Sequence, residues 1–486
     1  MASSSAIDRR DAADETPGAV RADGADAASE ALTRMRSGVG GVEWPPIVTG
    51  PGAVLAAFVH QLEKSQWMSA AALGERQRQQ LARLARHASR YSKHFRARLR
   101  GAGVKPDDLA APEGLARLPV LTRREAQRAG EAFYCAEVPP DHLPLSETRT
   151  SGATGEPVVT RRTEATHLIW LAMSMRDHLW HRRDFSARMA ASRGAAKKPA
   201  QLADWGAPAS LLYRTGPTLD LPNTMDARAL AEALTAFRPN ILLLYPGSLA
   251  ALTDHCRAAG TPLPDLRHIR TIGETLTPRV RDDAAAFFDA SIEDAYSSQE
   301  LGYIALQCPT SGLYHAMAES HIVEVLDERG EACREGEIGR VVVTDLDNFA
   351  TPLVRYDIGD LAEVAGPCPC GRGLSPTLRR IVGRERNLIL MPDGSRHWPH
   401  VGYKRFRDVA PISQYQFIQV ARDTIEVRLV TERPITAEEE DALRAIMRAS
   451  LGFAFELPFT YWQGRLPPDA SGKFEEFVCR ISAQRD

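Results

Sequence analysis

Between residues 150 and 365, short runs rich in β-branched and aromatic residues alternate with stretches of helical periodicity, and this alternation limits the chain to few architectures. Residues 240–245, 270–273, 291–298, 321–326 and 339–346 read as strands, and residues 227–237, 246–259 and 278–288 as helices. Strands separated by helices of that length favour a layered α/β domain with helices packed on the sheet.

The character changes after Gly383. Residues 414–420 and 424–430 flank a polar turn as a hairpin, and Thr436 with Glu439 forms the capping box of a helix carrying Leu443, Ile446, Met447 and Leu451. A small α+β domain is therefore expected behind the large one. Upstream, Leu81, Leu84, Ala88, Tyr91, Phe95 and Leu99 recur at spacings of three and four, placing them on one helical face between residues 75 and 100, opposite a face rich in arginine. The first residues are Ala, Asp, Arg and Ser without an apolar core, which predicts a disordered tail rather than a secretory signal. The expected division is a tail over 1–45, a large domain over 46–383 and a small lid domain over 384–486.

Charge and cysteine usage exclude several classes. Lys plus Arg number 60 against 62 Asp plus Glu, a net charge of −2, so no generic attraction to nucleic acid or an anionic membrane is expected. The longest apolar stretch, residues 241–252, is interrupted by Pro246 and Gly247 and falls short of the roughly 20 residues of a membrane span. Seven cysteines, an odd number, do not form a secreted disulfide scaffold and suit a reducing cytoplasm. Neither a GxSxG elbow nor an HExxH helix is present to support a hydrolase.

The chemistry-bearing segments come in a fixed order. Thr148-Arg-Thr-Ser-Gly-Ala-Thr-Gly-Glu-Pro157 alternates hydroxyls and glycines, so it offers N–H and O–H donors to phosphate oxygens, although it is not the GxxxxGK[ST] loop. Then follow Gly273-Glu274, Asp294-Ala-Tyr-Ser-Ser-Gln-Glu300, Arg355-Tyr-Asp-Ile-Gly-Asp360 and Ser471-Gly-Lys473. With Leu118-Pro-Val-Leu-Thr122 ahead of the loop and Gly336-Glu-Ile-Gly-Arg-Val-Val-Val-Thr344 between the later motifs, the chain resembles the phenylacetate–coenzyme A ligase family of the adenylate-forming superfamily from about Leu81 to its C-terminus.

That resemblance implies a large multi-sheet adenylate-forming domain with a small mobile lid. It also implies an acid–thiol ligase that activates a carboxylic acid, an aromatic one by family analogy, with ATP and passes it to coenzyme A. Ser151, Gly152, Ala153, Thr154 and Gly155 would wrap the β- and γ-phosphates and Glu300 would hold magnesium. Tyr296 would lie against adenine in a pocket lined by Asp294, Gly273 and Glu274, with Asp360 on the ribose diol and Arg384 near the interdomain hinge. Lys473 would enter from the small domain and bridge the carboxylate and α-phosphate, while Tyr245, Gly247 and Ser297 would border the acyl pocket, the small side chains leaving room for a ring. A homodimer is compatible with the resemblance. Trp170, Trp180, Trp205 and Trp398 read as core residues ahead of pocket-lining ones.

Two departures keep other readings open. Glu156 stands where the family has a basic residue, and Arg386 in Gly383-Arg-Glu-Arg-Asn387 replaces the pivot carboxylate. The altered hinge leaves room for an acceptor other than coenzyme A, such as an amine, a carrier-protein thiol or a small nitrogen species, and Glu156 for a nucleotide-binding protein without turnover. Finally, Cys368 and Cys370 share a tight turn while Cys308 and His315 lie upstream; three sulfurs and an imidazole would complete a closed structural zinc shell, against the alternative of four unligated side chains.

Overall fold

The structure, a computed structural model, describes residues 34–149, 158–193, 196–384, 388–397, 405–464, 466–467 and 474–481. An antiparallel hairpin of β1 (Ser146–Arg149) and β2 (Val159–Arg162) precedes the main sheet. That sheet has twelve strands among the described residues: β3 (Met189–Arg193), β4 (Ala200–Leu202), β5 (Thr218–Pro222), β6 (Ile241–Leu244), β7 (His268–Ile272), β8 (Ser291–Ser298), β9 (Gly302–Gln307), β10 (Tyr314–Ala316), β11 (His321–Leu326), β12 (Ile338–Asp345), β13 (Tyr356–Ala365) and β14 (Thr377–Arg384). Their spatial order is β11-β12-β13-β14-β10-β9-β8-β7-β6-β3-β5-β4.

The sheet changes character at β8. From β5 through β3, β6 and β7 to β8 neighbours run parallel, whereas β8 to β11 are joined by antiparallel pairs throughout. The α-helices of seven residues or more in this lobe, among the described residues, are α1 (Gly50–Ser65), α2 (Ala70–Tyr91), α3 (Lys93–Ala102), α4 (Arg123–Ala129), α5 (Glu164–Trp180), α6 (Ala227–Phe237), α7 (Pro246–Ala259) and α8 (Pro278–Phe288). The last three are the crossovers between parallel strands, and Leu230, Leu234, Leu249, Leu252 and Val280 pack from them onto Leu242, Ile269 and Ile292. On the opposite side α1 and α5 contribute Leu55, Leu62, Leu171 and Met175 to a second core. Burial on both faces explains why β6 reads as an unbroken apolar run, Ile-Leu-Leu-Leu.

The small lobe pairs β15 (Ile389–Leu390) with β16 (Arg396–His397). Beside this lies a sheet in the order β19-β18-β17-β20, formed by β17 (Ile412–Ala421), β18 (Thr424–Thr431), β19 (Phe459–Trp462) and β20 (Phe477–Cys479). Helix α9 (Ala437–Leu451) begins at the expected Thr436–Glu439 capping box and packs Leu443 and Met447 on Phe417, Val427 and Leu429.

Two expectations change. The helical face from residue 75 to 100 belongs to two helices, because Ser92 is extended (φ −99°, ψ 119°), ending α2 and capping α3 by accepting the N–H of Phe95. Residues 34–45, expected to lie in the tail, are in part built into the fold: Met35 bridges Tyr213 and the Arg36 N–H donates to the Leu212 carbonyl at 2.8 Å. Backbone pairing of this kind leaves no mark in side-chain composition. Among the described residues no helix is long and apolar enough to cross a membrane.

Candidate active site

Ligands of open α/β sheets gather at the carboxyl ends of the parallel strands, where the strand order reverses. Here those ends carry Tyr245 after β6, Gly273 and Glu274 after β7, and Tyr296, Ser297 and Ser298 at the end of β8. Gly273 sits at φ +82°, and a Cβ on it would lie 2.9 Å from the Tyr245 ring, so the close approach of that ring requires glycine.

Three motif segments meet at Asp360. The Tyr296 hydroxyl donates to Asp360 Oδ2 at 2.8 Å, and Arg384 Nε lies 3.0 Å from Oδ1. Arg384 reaches it because Asp360 and Arg384 are register partners on β13 and β14. Burial, then the Asp360 charge, holds the Tyr296 phenol well above its usual pKa, and Asp360 likewise raises that of Arg384. Each carboxylate oxygen retains a second lone pair, so Asp360 can still accept hydrogen bonds from a diol.

Glu300, 6 % exposed, faces Arg123 Nη1 at 3.7 Å and the Tyr356 hydroxyl at 3.5 Å. Arg123 is the first residue of α4, whose start is set by the Thr122–Glu125 capping box. Sequence reasoning missed Arg123, although the Thr-x-x-Glu pattern marks that helix start. Arg355 bonds both oxygens of Glu324 at 3.0 Å and donates to the carbonyls of Ala116 and Leu118, holding the segment before α4 against the sheet. Arg162, at the end of β2, donates to the Gln299 carbonyl and so ties the hairpin base beside Glu300. Behind Glu300 a cleft is lined by Arg162, Thr166, Trp170, Tyr303, Asp345 and Asp347.

Other expected residues are placed differently. The Asp294 carboxylate is turned inward, accepting from Thr271 Oγ1 at 2.5 Å and the Tyr314 hydroxyl at 2.8 Å; burial raises its pKa against those two bonds. The room expected beside Gly247 for an acyl ring is filled: a Cβ there would lie 3.0 Å from the Glu274 carboxylate and 3.4 Å from Phe474. Glu274 Oε2 accepts the Gly247 N–H at 2.8 Å, a carboxylate drawn to the positive end of α7. Trp180 and Trp205 are buried, whereas Trp170 stacks on Tyr303 at the cleft. Ser151, Gly152, Ala153, Thr154, Gly155, Glu156, Arg386, Trp398 and Lys473 lie outside the described residues.

Cys308, His315, Cys368 and Cys370 come together with all four ligand atoms within 4.8 Å of one another. The Cys308 and Cys368 sulfurs are 3.8 Å apart, the edge of about 3.8 Å that a tetrahedron with 2.3 Å zinc–sulfur bonds has. His315 Nε2 is 3.2 Å from Cys370 Sγ, and its Nδ1 meets the Leu374 carbonyl at 3.0 Å, the outer-shell contact that aims Nε2 inward. Burial opposes ionisation of Cys308, but His315 and nearby N–H groups bring its pKa down to about 5; Cys368 is pushed up to about 11 by burial.

No family model matches the chain. A phenylacetate–coenzyme A ligase of Pseudomonas putida is 25% identical over 343 residues, covering 68% of this chain and 74% of the relative. In sequence the chain is thus similar to the phenylacetate–coenzyme A ligases. The enzyme of that name from Thermus thermophilus is 24% identical, over 65% of this chain and 71% of its own. Among solved structures, a 2-hydroxyisobutyryl-CoA ligase in its postadenylation state superposes with a TM-score of 0.68 at 19% identity, over 86% of this chain and 91% of its own. In its thioesterification state that ligase superposes with a TM-score of 0.56 at 18% identity, over the same shares. The chain thus shares the fold of this ligase and superposes better on its postadenylation structure.

Proposed function

We propose that the chain is an AMP-forming acid–thiol ligase: a carboxylate attacks the α-phosphorus of ATP, pyrophosphate leaves, and the acyl-adenylate is taken up by the thiol of coenzyme A. The convergence of Tyr296, Arg384 and Asp360, drawn from three separate segments, carries this reading. A fixed carboxylate is suited to a ribose diol, and a guanidinium beside it to the charge that develops at the α-phosphate. Tyr296 offers its ring to adenine while its hydroxyl holds Asp360 in place. Glu300 would hold magnesium, which would neutralise phosphate charge; Arg123 and Tyr356 keep that carboxylate directed. The ligase relatives support coenzyme A as acceptor and an aromatic acid as substrate.

We assign Lys473 as the cation from the small lobe that meets the reacting carboxylate. Replacing it with alanine is expected to lower acid-dependent pyrophosphate–ATP exchange by about 100-fold or more, the scale of one lost charge-stabilising donor, while thioester formation from supplied acyl-adenylate persists. Assay over a panel of aryl and alkyl acids, each with coenzyme A, an amine and a carrier-protein thiol, tests both substrate and acceptor. Exchange unchanged in Lys473→Ala removes that residue from the reaction, and an absence of exchange with every acid removes the ligase reading.

The four-ligand cluster is assigned a structural zinc ion. Three thiolates and one imidazole without an open position form a closed shell, the structural rather than catalytic pattern.

A further inference from the structure

Two contacts cross from the large lobe to the three residues that follow Lys473. Glu274, whose Oε2 accepts the N–H of Gly247, accepts the N–H of Phe474 on Oε1 at 3.3 Å. Five residues further on, Arg279 in the first turn of α8 reaches Glu476 with one nitrogen at 3.3 Å and Asp283 with the other at 3.4 Å. The cross-lobe pair is shielded, with side chains 23% and 30% exposed. Burial works against the arginine charge, yet Glu476 and then Tyr415 of β17 leave its pKa above the ordinary value.

The far end of this contact belongs to the small-lobe sheet. Gln416 Nε2 donates to the Glu475 carbonyl at 3.0 Å, and the Phe417 N–H donates to the Glu476 carbonyl at 2.8 Å. Glu476 therefore moves with β17, so its bond to Arg279 reports the orientation of the whole lobe. One attachment alone would let residues 474–476 swivel; two attachments fix their direction.

We propose that Glu274 and Arg279 form a two-point clasp on residues 474–476 that holds the small lobe in its orientation for adenylation and opens before that lobe turns for the second step. The proposal rests on the two-step ligase reading. Rotation of the lobe separates Arg279 from Glu476, leaving Arg279 with Asp283 and Glu476 exposed to water, so the attraction between Arg279 and Glu476 contributes to the balance between the two arrangements. A partly exposed ion pair is weak enough to be made and broken in every turnover. The higher TM-score against the postadenylation arrangement, 0.68 compared with 0.56, agrees with a clasp that is shut.

Arg279 and Glu476 are positioning residues, tested by separating the half-reactions. Arg279→Ala and Glu476→Gln are each expected to slow acid-dependent pyrophosphate–ATP exchange about five-fold, the upper range for such a pair, with thioester formation from supplied acyl-adenylate at or above the original rate. The exchanged pair, Arg279→Glu with Glu476→Arg, should recover most of the exchange rate. Small-angle scattering of the unliganded full chain should show a larger radius of gyration for the single variants and recovery in the exchanged pair. Equal losses in both half-reactions, or no change in either with unaltered scattering, overturn the clasp. If the original chain shows no exchange with any acid, the ligase reading fails, and scattering alone then decides whether the clasp exists.

Discussion

Two clusters of polar side chains share the strands β9 and β13 and obey opposite rules. Glu300 stands just before β9 and Cys308 just after it; Asp360 lies within β13 and Cys368 beyond its end. At the first end, Asp360 is engaged by Tyr296 and Arg384, and Glu300 faces Arg123, so each charged group already has a protein partner that a nucleotide would have to share or displace. At the other end, Cys308, His315, Cys368 and Cys370 bring their ligand atoms within 4.8 Å of one another, three thiols and an imidazole. The candidate nucleotide-site groups thus sit in an exchangeable network, whereas the four candidate metal ligands form a compact cage. The same two strands supply rigidity to both.

The largest effect should come from breaking the exchangeable network. Asp360→Ala removes the acceptor of Tyr296 and the partner of Arg384, and should lower pyrophosphate–ATP exchange by about 100-fold, close to 2.7 kcal/mol, with the half-saturating ATP concentration rising. Steady-state titration with ATP checks this, and a loss below about three-fold would separate Asp360 from the nucleotide.

Opening the cage should affect stability first. Elemental analysis of the purified chain should find one zinc per chain. Cys370→Ser should lose that metal and lower the unfolding midpoint, at a cost of about 2–4 kcal/mol, whereas Asp360→Ala should retain it. Because Cys368 is pushed up to about 11, binding releases a proton there and metal affinity should weaken as pH falls. Full metal content in Cys370→Ser would dissolve the contrast between the two clusters.

The smallest effect sharpens the comparison at the cleft behind Glu300. Burial, then the neighbouring Asp345 charge, raises the Asp347 carboxyl to about 8. In the unfolded chain it ionises near 4, so the folded state holds the extra proton and is penalised increasingly as pH rises from about 4 to about 8. Asp347→Asn should therefore stabilise the chain more at pH 8 than at pH 5, by roughly 1–3 kcal/mol at the higher pH. Thermal unfolding at the two pH values measures it; an equal effect at both means that the buried charge is not the cause.

Local signals carried much of the fold. Residues 227–237, 246–259 and 278–288 are helices over the expected bounds, and residues 291–298 and 321–326 are strands over theirs, because amphipathic period, proline at the first turn and β-branched runs act within a few residues. The break at Ser92 was hidden because the apolar spacing runs on through it. Arg123 and Arg162 escaped notice for a related reason: arginines are abundant on this surface, and only folding brings those two beside Glu300 and Gln299.

Chain order and residue type were enough to single out candidate segments for chemistry, since hydroxyls, carboxylates and thiols keep their reactivity wherever they stand. What those segments touch was settled by packing across long separations. Gly247 shows the difference: as a residue type it promises open space, yet the carboxylate of Glu274 and the chain at Phe474 occupy that space. A glycine specifies the absence of a side chain, and which neighbour fills the gap depends on the energetics of the whole assembly, here a carboxylate satisfying the N–H groups of two lobes at once.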